Sequence, residues 1–290
     1  MPERLIARRE FVRSSVGTLG AIAAAASLSR AADVPGPAPS APPAPRGPDT
    51  AFTGDQLDQI SFPMGGFGAG MMCLEGPGGL TNVSIRDRPV LQNQPGLFAA
   101  ISIGGPAKIA RVVEGPVPKW KLFERRHAAT GSGPLGLGLP RFDRATFRAH
   151  FPFARVELAD PAVPVTARIT GWSPFEPGDA DNSSLPVAGL EYTFTNAGDE
   201  ELDAVFSFHA RNFVPAAMNE WQSGPEPARA IRGTPGGFTL YGAAWPSAQQ
   251  EEAWCAFATD DPAAKVNLAW FRGNWFDPQT MAWRDVEQGA

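Results

Sequence analysis

The six residues Gly65-Gly-Phe-Gly-Ala-Gly70 are the first place in this chain where backbone alone could do chemistry. A glycine loop cradles phosphate when a strand runs into it and a helix N-terminus follows, so that N–H groups converge on the anion. Here the order is G-x-x-G-x-G rather than G-x-G-x-x-G, and Met71-Met-Cys-Leu-Glu-Gly-Pro-Gly78 cannot hold a helix. No lysine follows in a Walker pattern. The pattern argues against nucleotide binding and for close approach of backbone to backbone, or to a partner domain.

Other reactive residue types do not assemble either. His127, His150 and His209 are isolated, with no histidine or cysteine at metal-ligand spacing, so neither a metal nor a cofactor is expected. Asp179-Ala-Asp-Asn-Ser-Ser184 is oxygen-rich and reads as a solvated turn. No G-x-S-x-G occurs, and Cys73 has no histidine near it in sequence. Glycoside hydrolysis needs two carboxyl groups facing one another across the scissile bond. The pairs Glu200-Glu201, Glu251-Glu252 and Asp260-Asp261 are sequence neighbours, which point to opposite faces of a strand, and they read as surface charge. No catalytic residue is assigned. Trp172 and Trp275, in Gly171-Trp-Ser-Pro-Phe175 and Trp270-Phe-Arg-Gly-Asn-Trp-Phe-Asp277, are candidates for stacking on a sugar. Tryptophan fills a sandwich core or a domain interface equally well.

The elements that would carry these residues are strands. Glycine and proline number 31 and 30 of 290 residues, well above the usual share of roughly 12%, which favours short segments joined by many turns. Thr53–Ile60 offers a capped helical turn or two, ending before Pro63. Beyond it almost no helical period is sustained. Leu97–Ile103 is apolar or small on both faces, as in a buried strand. Ala154–Leu158 and Val165–Thr170 alternate as half-buried strands around a turn at Asp160–Pro164. Leu190, Tyr192 and Phe194 point one way, and after a turn at Asn196–Glu201 so do Leu202, Ala204, Phe206 and Phe208, which predicts a hairpin. Further strands are expected at Phe238–Ala243, Glu252–Thr259 and Val266–Phe271. Arg111–Arg144 reads as a long loop excursion. The sum is one large antiparallel β-sandwich, all-β, spanning residues 51–290.

Ahead of it, residues 1–32 read as an export signal. Arg4, Arg8, Arg9 and Arg13 precede the mildly apolar Ser14–Leu28, and small residues at Ser29, Ala31 and Ala32 suit a signal peptidase. Arg8-Arg9-Glu10-Phe11-Val12 is similar to the twin-arginine signal, which predicts export to the periplasm or beyond. The apolar run is too short and weak for a transmembrane span. Residues 33–50, with seven prolines between Pro35 and Pro48, form an extended linker. Without residues 1–32 the chain has 20 basic against 28 acidic residues, which argues against nucleic acid or an anionic membrane as partner. Cys73 and Cys255 sit in apolar strand-like surroundings and read as two free thiols.

Taken together, several ordered segments resemble one family. Ile60-Ser-Phe-Pro-Met-Gly-Gly-Phe-Gly-Ala-Gly70 is similar to the opening of the N-terminal domain of glycoside hydrolase family 116, which contains non-lysosomal glucosylceramidases (bile-acid β-glucosidases) and bacterial β-glucosidases. Ile85-Arg-Asp-Arg-Pro89, His150-Phe-Pro-Phe-Ala-Arg-Val156, Trp172-Ser-Pro-Phe175, Asp181–Val187, Arg211-Asn212, Trp270–Asp277 and Met281-Ala-Trp283 follow in the family's order. The resemblance covers roughly residues 52–290 and implies an N-terminal β-sandwich that partners a catalytic (α/α)6 barrel. Both catalytic carboxylates, and the β-glucoside substrate, would belong to that barrel, which no part of this chain resembles. It also implies that Ala290 falls before the sandwich's last strands, and that this chain alone is inactive. The alternative is a stand-alone carbohydrate-binding or structural sandwich.

Overall fold

The computed structural model describes residues 47, 49–85, 94–105, 108–123, 136–214, 229–242, 253–270 and 278–289. The expected signal and nearly all of the expected linker lie outside them, as do Trp275 and His127. Among the described residues, no helix is long and apolar enough to cross a membrane.

Short strands dominate, as turn-rich composition dictates. β1 (Phe52–Thr53) leads into a 3-10 turn, Gly54–Gln59, where the Thr53 N–H donates to Gln56 Oε1 at 3.2 Å. β2 (Ser61–Met64), β3 (Met71–Glu75) and β4 (Leu80–Ser84) make a three-stranded antiparallel sheet. β5 (Leu97–Ile103) and β6 (Ile109–Val112) are followed by a helical turn, α1 (Lys119–Phe123). Thus the ends of the region expected to be one long loop hold regular structure. Residues 124–135 within it lie outside the described residues.

The largest sheet comes next. β7 (Arg144–His150), β8 (Phe153–Ala159), β9 (Val165–Trp172) and, beyond the short helix α2 (Ala180–Ser183), β10 (Gly189–Asn196) run antiparallel in the order β1-β7-β8-β9-β10. Alternation decides its faces. Ala154, Val156, Leu158, Val165, Ala167 and Ile169 are buried, while Arg155, Glu157, Thr166 and Arg168 between them face solvent. The buried row packs on Leu97, Ala99, Ile101 and Ile103 of β5 and on Met64, Leu74 and Leu80 of the β2-β3-β4 sheet. Each valine, leucine, isoleucine or methionine among them contributes about 1.5–3 kcal/mol when fully removed from water. This is the sandwich the sequence predicts.

The hairpin predicted from Leu190 to Phe208 does not form. β11 (Ala204–Ala210) pairs with β5, not with β10, in a sheet ordered β11-β5-β6. The connection between them crosses from one layer to the other. Phe206 therefore meets Tyr192 and Phe194 through side chains, at ring-centroid distances of 5.0 and 5.7 Å, rather than through a backbone ladder. Alternation reports which way a residue points, and both strands point inward from opposite layers.

β12 (Arg229–Thr234), β13 (Gly237–Gly242) and β14 (Ala253–Ala258) form a further antiparallel sheet around Val214, Leu240 and Ala253. It is joined to the rest through Phe257, whose ring lies 5.2 Å from Phe208. The strand expected over Val266–Phe271 is absent among its described residues. The Ala269 N–H donates to the Asn267 side chain, closing a local turn, and Val266 and Leu268 are exposed. A helix appears where none was expected, α3 (Pro278–Gln288). Its Trp283 and Val286 cover Phe98 and Ala100 on the second face of β5, which explains why β5 is buried on both sides. Cys73 on β3 and Cys255 on β14 are free thiols in different sheets.

Candidate functional site

The glycine-rich stretch becomes two turns at opposite ends of one hairpin system. The β3–β4 turn, Glu75–Gly79, is wholly buried. Gly78 has φ +102°, and a Cβ there would lie 2.7 Å from Ile169 Cδ1, so only glycine lets this turn plug the sandwich. Glu75 enters the core with it and is paired to the buried Lys121 of α1. Nearby, Arg141 Nε donates to Glu114 Oε2 at 3.3 Å. These two ion pairs, that of Glu75 buried and that of Glu114 half-buried, hold α1 and the Gly136–Phe142 segment to the sandwich.

The β2–β3 turn, Gly65–Gly70, lies instead against the β9–β10 connection. The Phe67 N–H donates to the Ser183 carbonyl at 2.8 Å, and the Gly65 N–H to Ser173 Oγ at 3.1 Å. A Cβ on Gly66 would sit 2.2 Å from the Leu185 carbonyl oxygen. Backbone packs on backbone here, the role the glycines suggest. The connection underneath is itself tied together. Asp179 Oδ1 accepts the Asn182 N–H at 2.9 Å, the Glu176 N–H donates to Ser183 Oγ at 3.0 Å, and Ser183 Oγ donates to the Glu176 carbonyl. The Asn182 bonds hold the Asp179 carboxyl below the usual carboxylate range.

Phe67, at the tip, is thrown outward and is 59% exposed. It meets two other exposed rings from separate loops: Phe151 of the β7–β8 turn at 6.0 Å and Phe175 after β9 at 5.8 Å. Phe151 and Phe175 are 5.0 Å apart, edge to face. The exposed Leu185 and Val187 come from the connection on which the Gly66 backbone rests. Three loops spread over more than a hundred residues of sequence, from Phe67 to Phe175, thus present one phenylalanine face. An exposed apolar cluster is the composition that an interaction surface requires. The sugar-stacking candidates expected from sequence, Trp172 and Trp275, do not include these rings. The available signal was an aromatic set inside a turn, as in Gly66-Phe67-Gly68, Phe151-Pro152 and Pro174-Phe175, where no inward strand face exists to receive it.

Of the sugar-stacking candidates, Trp172 is 37% exposed on the outer face of the five-stranded sheet, opposite Phe153 and Gly189. Trp275 lies outside the described residues. Trp270 approaches Phe98 and His209, and Trp283 is buried against β5.

The remaining reactive types are placed as follows. Glu200, Glu201, Asp260 and Asp261 are exposed, and Glu251-Glu252 lies outside the described residues. Among the described residues, no three of histidine, cysteine, aspartate and glutamate converge as metal ligands. His209 stacks on Phe98 at 4.6 Å and is pulled down to about 4 by burial, against an opposing pull from Asp285. Burial raises both thiols, Cys255 to about 11, which keeps them protonated at neutral pH. His150 is exposed, 3.9 Å from Asp49.

Comparison with known families gives one match. The model described as beta-glucosidase 2, glycosyl-hydrolase family 116 N-terminal domain, matches residues 61–289. No curated protein matches the chain.

Proposed function

The chain belongs to glycosyl-hydrolase family 116 through that family's N-terminal domain, and from this premise we propose that it is the seating half of a β-glucosidase or glucosylceramidase. In this reading the phenylalanine face of Phe67, Phe151 and Phe175 docks a catalytic (α/α)6 barrel, which supplies both carboxylates and acts on a β-glucoside. The single observation that carries it is the construction of that face. Glycines seat the Phe67 turn against the β9–β10 connection, and three exposed rings from separate loops meet one another at its tip. Aromatic side chains gathered in this way are what the core of an interface is enriched in.

Co-expression with the catalytic domain of a family-116 β-glucosidase tests it. The two should co-purify, and Phe67→Ser with Phe175→Ser should abolish the pairing while the chain's own melting temperature holds. Co-purification unaffected by those changes contradicts the docking role. The chain by itself should release no nitrophenol from an aryl β-glucoside.

The reading also includes export. Arg8 and Arg9 support delivery through the twin-arginine route, with the sandwich folded before transport. Arg8→Lys with Arg9→Lys should retain the precursor in the cytoplasm. Unchanged delivery of that variant would remove the twin-arginine assignment.

A further inference from the structure

The register of the five-stranded sheet places two rows side by side on its outer face. One row runs His150, Phe153, Trp172, Gly189 across β7, β8, β9 and β10. The other, two residues along each strand, runs Arg148, Arg155, Thr170, Glu191. Neighbouring strands are about 4.8 Å apart, and the two rows are separated by about 7 Å along the strands. One row is aromatic at its centre, and the next is built of hydrogen-bonding groups.

Gly189 makes the aromatic row flat. Its missing Cβ would fall 1.9 Å from Trp172 Cε2, 2.2 Å from Nε1 and 2.3 Å from Cζ2, so the indole lies down over the neighbouring strand. One indole face covers Gly189 and leaves the other to solvent. Phe153, its cross-strand neighbour, is also exposed and lines a cleft of about 190 Å³ with Asp49, Arg148, His150 and Arg155. Arg148 is committed, its Nη1 donating to the Asp49 carbonyl at 3.0 Å. Among the described residues Arg155 makes no hydrogen bond or ion pair, and its guanidinium is available beside the rings.

We propose that this outer face is a saccharide-contact site, in which pyranose rings stack on Trp172 and Phe153 while their hydroxyls bond to Arg155, Thr170 and Glu191. The ligand class follows from the chemistry. A β-linked gluco-configured unit carries its hydroxyls equatorially, so both ring faces are apolar C–H surfaces that lie flat on an aromatic ring. Its rim of hydroxyls then meets donors and acceptors to the side, the division of labour typical of small-ligand sites. Guanidinium and carboxylate in the adjacent row supply the donors and acceptors that sugar hydroxyls take. The phenylalanine face seats a protein, and the Trp172 face takes a sugar. The second assignment does not depend on the first.

The test is a titration of the full chain with cellotetraose, read by calorimetry and by the indole ¹⁵N–¹H resonances. Binding should be saturable, Trp172→Ala should weaken it at least about tenfold, and Trp172→Phe should retain most of it. Arg155→Ala, which sits on the solvent face, should weaken binding with no change in melting temperature, so a folding defect in the tryptophan variant would not decide the matter. Phe67→Ser should leave binding unchanged. No saturation at about 10 mM sugar, a free energy weaker than roughly −3 kcal/mol, overturns the proposal. Equal binding by the wild type, Trp172→Ala and Arg155→Ala overturns it too.

Discussion

The Phe67 amide donates to the Ser183 carbonyl across 2.8 Å, so a turn after β2 is bonded to a helix between β9 and β10. That contact fixes where the exposed phenylalanine stands. It depends on Gly66, whose neighbours leave no space for a side chain: a Cβ would lie 2.2 Å from the Leu185 oxygen and 2.5 Å from the Ser184 carbonyl carbon. Both are backbone atoms and cannot rotate away. Gly66→Ala should lower stability by about 1–3 kcal/mol in urea unfolding. Gly138→Ala, where no atom lies within 4 Å, should change nothing measurable.

The buried pair of Glu75 and Lys121 gives a second expectation. Removing Lys121 strands a carboxylate inside the sandwich beside the β3–β4 turn. Lys121→Met should cost about 3–5 kcal/mol by the same measurement. Adding Glu75→Leu should recover most of the loss, because the double change leaves no buried charge. A double variant as unstable as the single one would mean the segment is held by packing alone.

His209 predicts how stability responds to pH. Its folded value, pulled to about 4 by burial, lies below its ordinary 6.5. Between those two values the unfolded chain binds a proton that the folded chain refuses. Stability contributed by neutral His209 is therefore complete above about 6.5 and is lost as pH falls toward 4. The slope reaches at most about 1.4 kcal/mol per pH unit in that window. His209→Phe should flatten it, while the exposed His150, replaced by Phe, should not.

How far the sequence led is best seen in single strands. β8 and β9 were legible because each buries one face only, so Ala154-Val156-Leu158 and Val165-Ala167-Ile169 alternate with polar residues. β5 was legible for the opposite reason, being apolar on both faces, although the second cover, α3, was not foreseen. That helix did leave a trace: Gln279, Ala282, Trp283 and Val286 fall at i, i+3, i+4 and i+7, and all four are buried. A polar residue at the head of the stripe concealed the period. The pairing of β10 and β11 was misread because inward direction does not identify a neighbour. The meeting of the three phenylalanines in one face is not legible for a related reason, although each ring singly is marked by its place in a turn. The face is assembled by three turns, and no local period records which turns meet.

Docking of a catalytic domain on that face is the central claim, and hydroxyl-radical footprinting tests it most directly. Phe67, Phe151 and Phe175 should oxidise readily in the chain alone. In the complex formed by co-expression with a family-116 catalytic domain, all three should be protected, while Trp254, 71% exposed on β14, stays reactive. Equal oxidation of the three rings with and without the catalytic domain, or failure of any complex to form, would contradict the account.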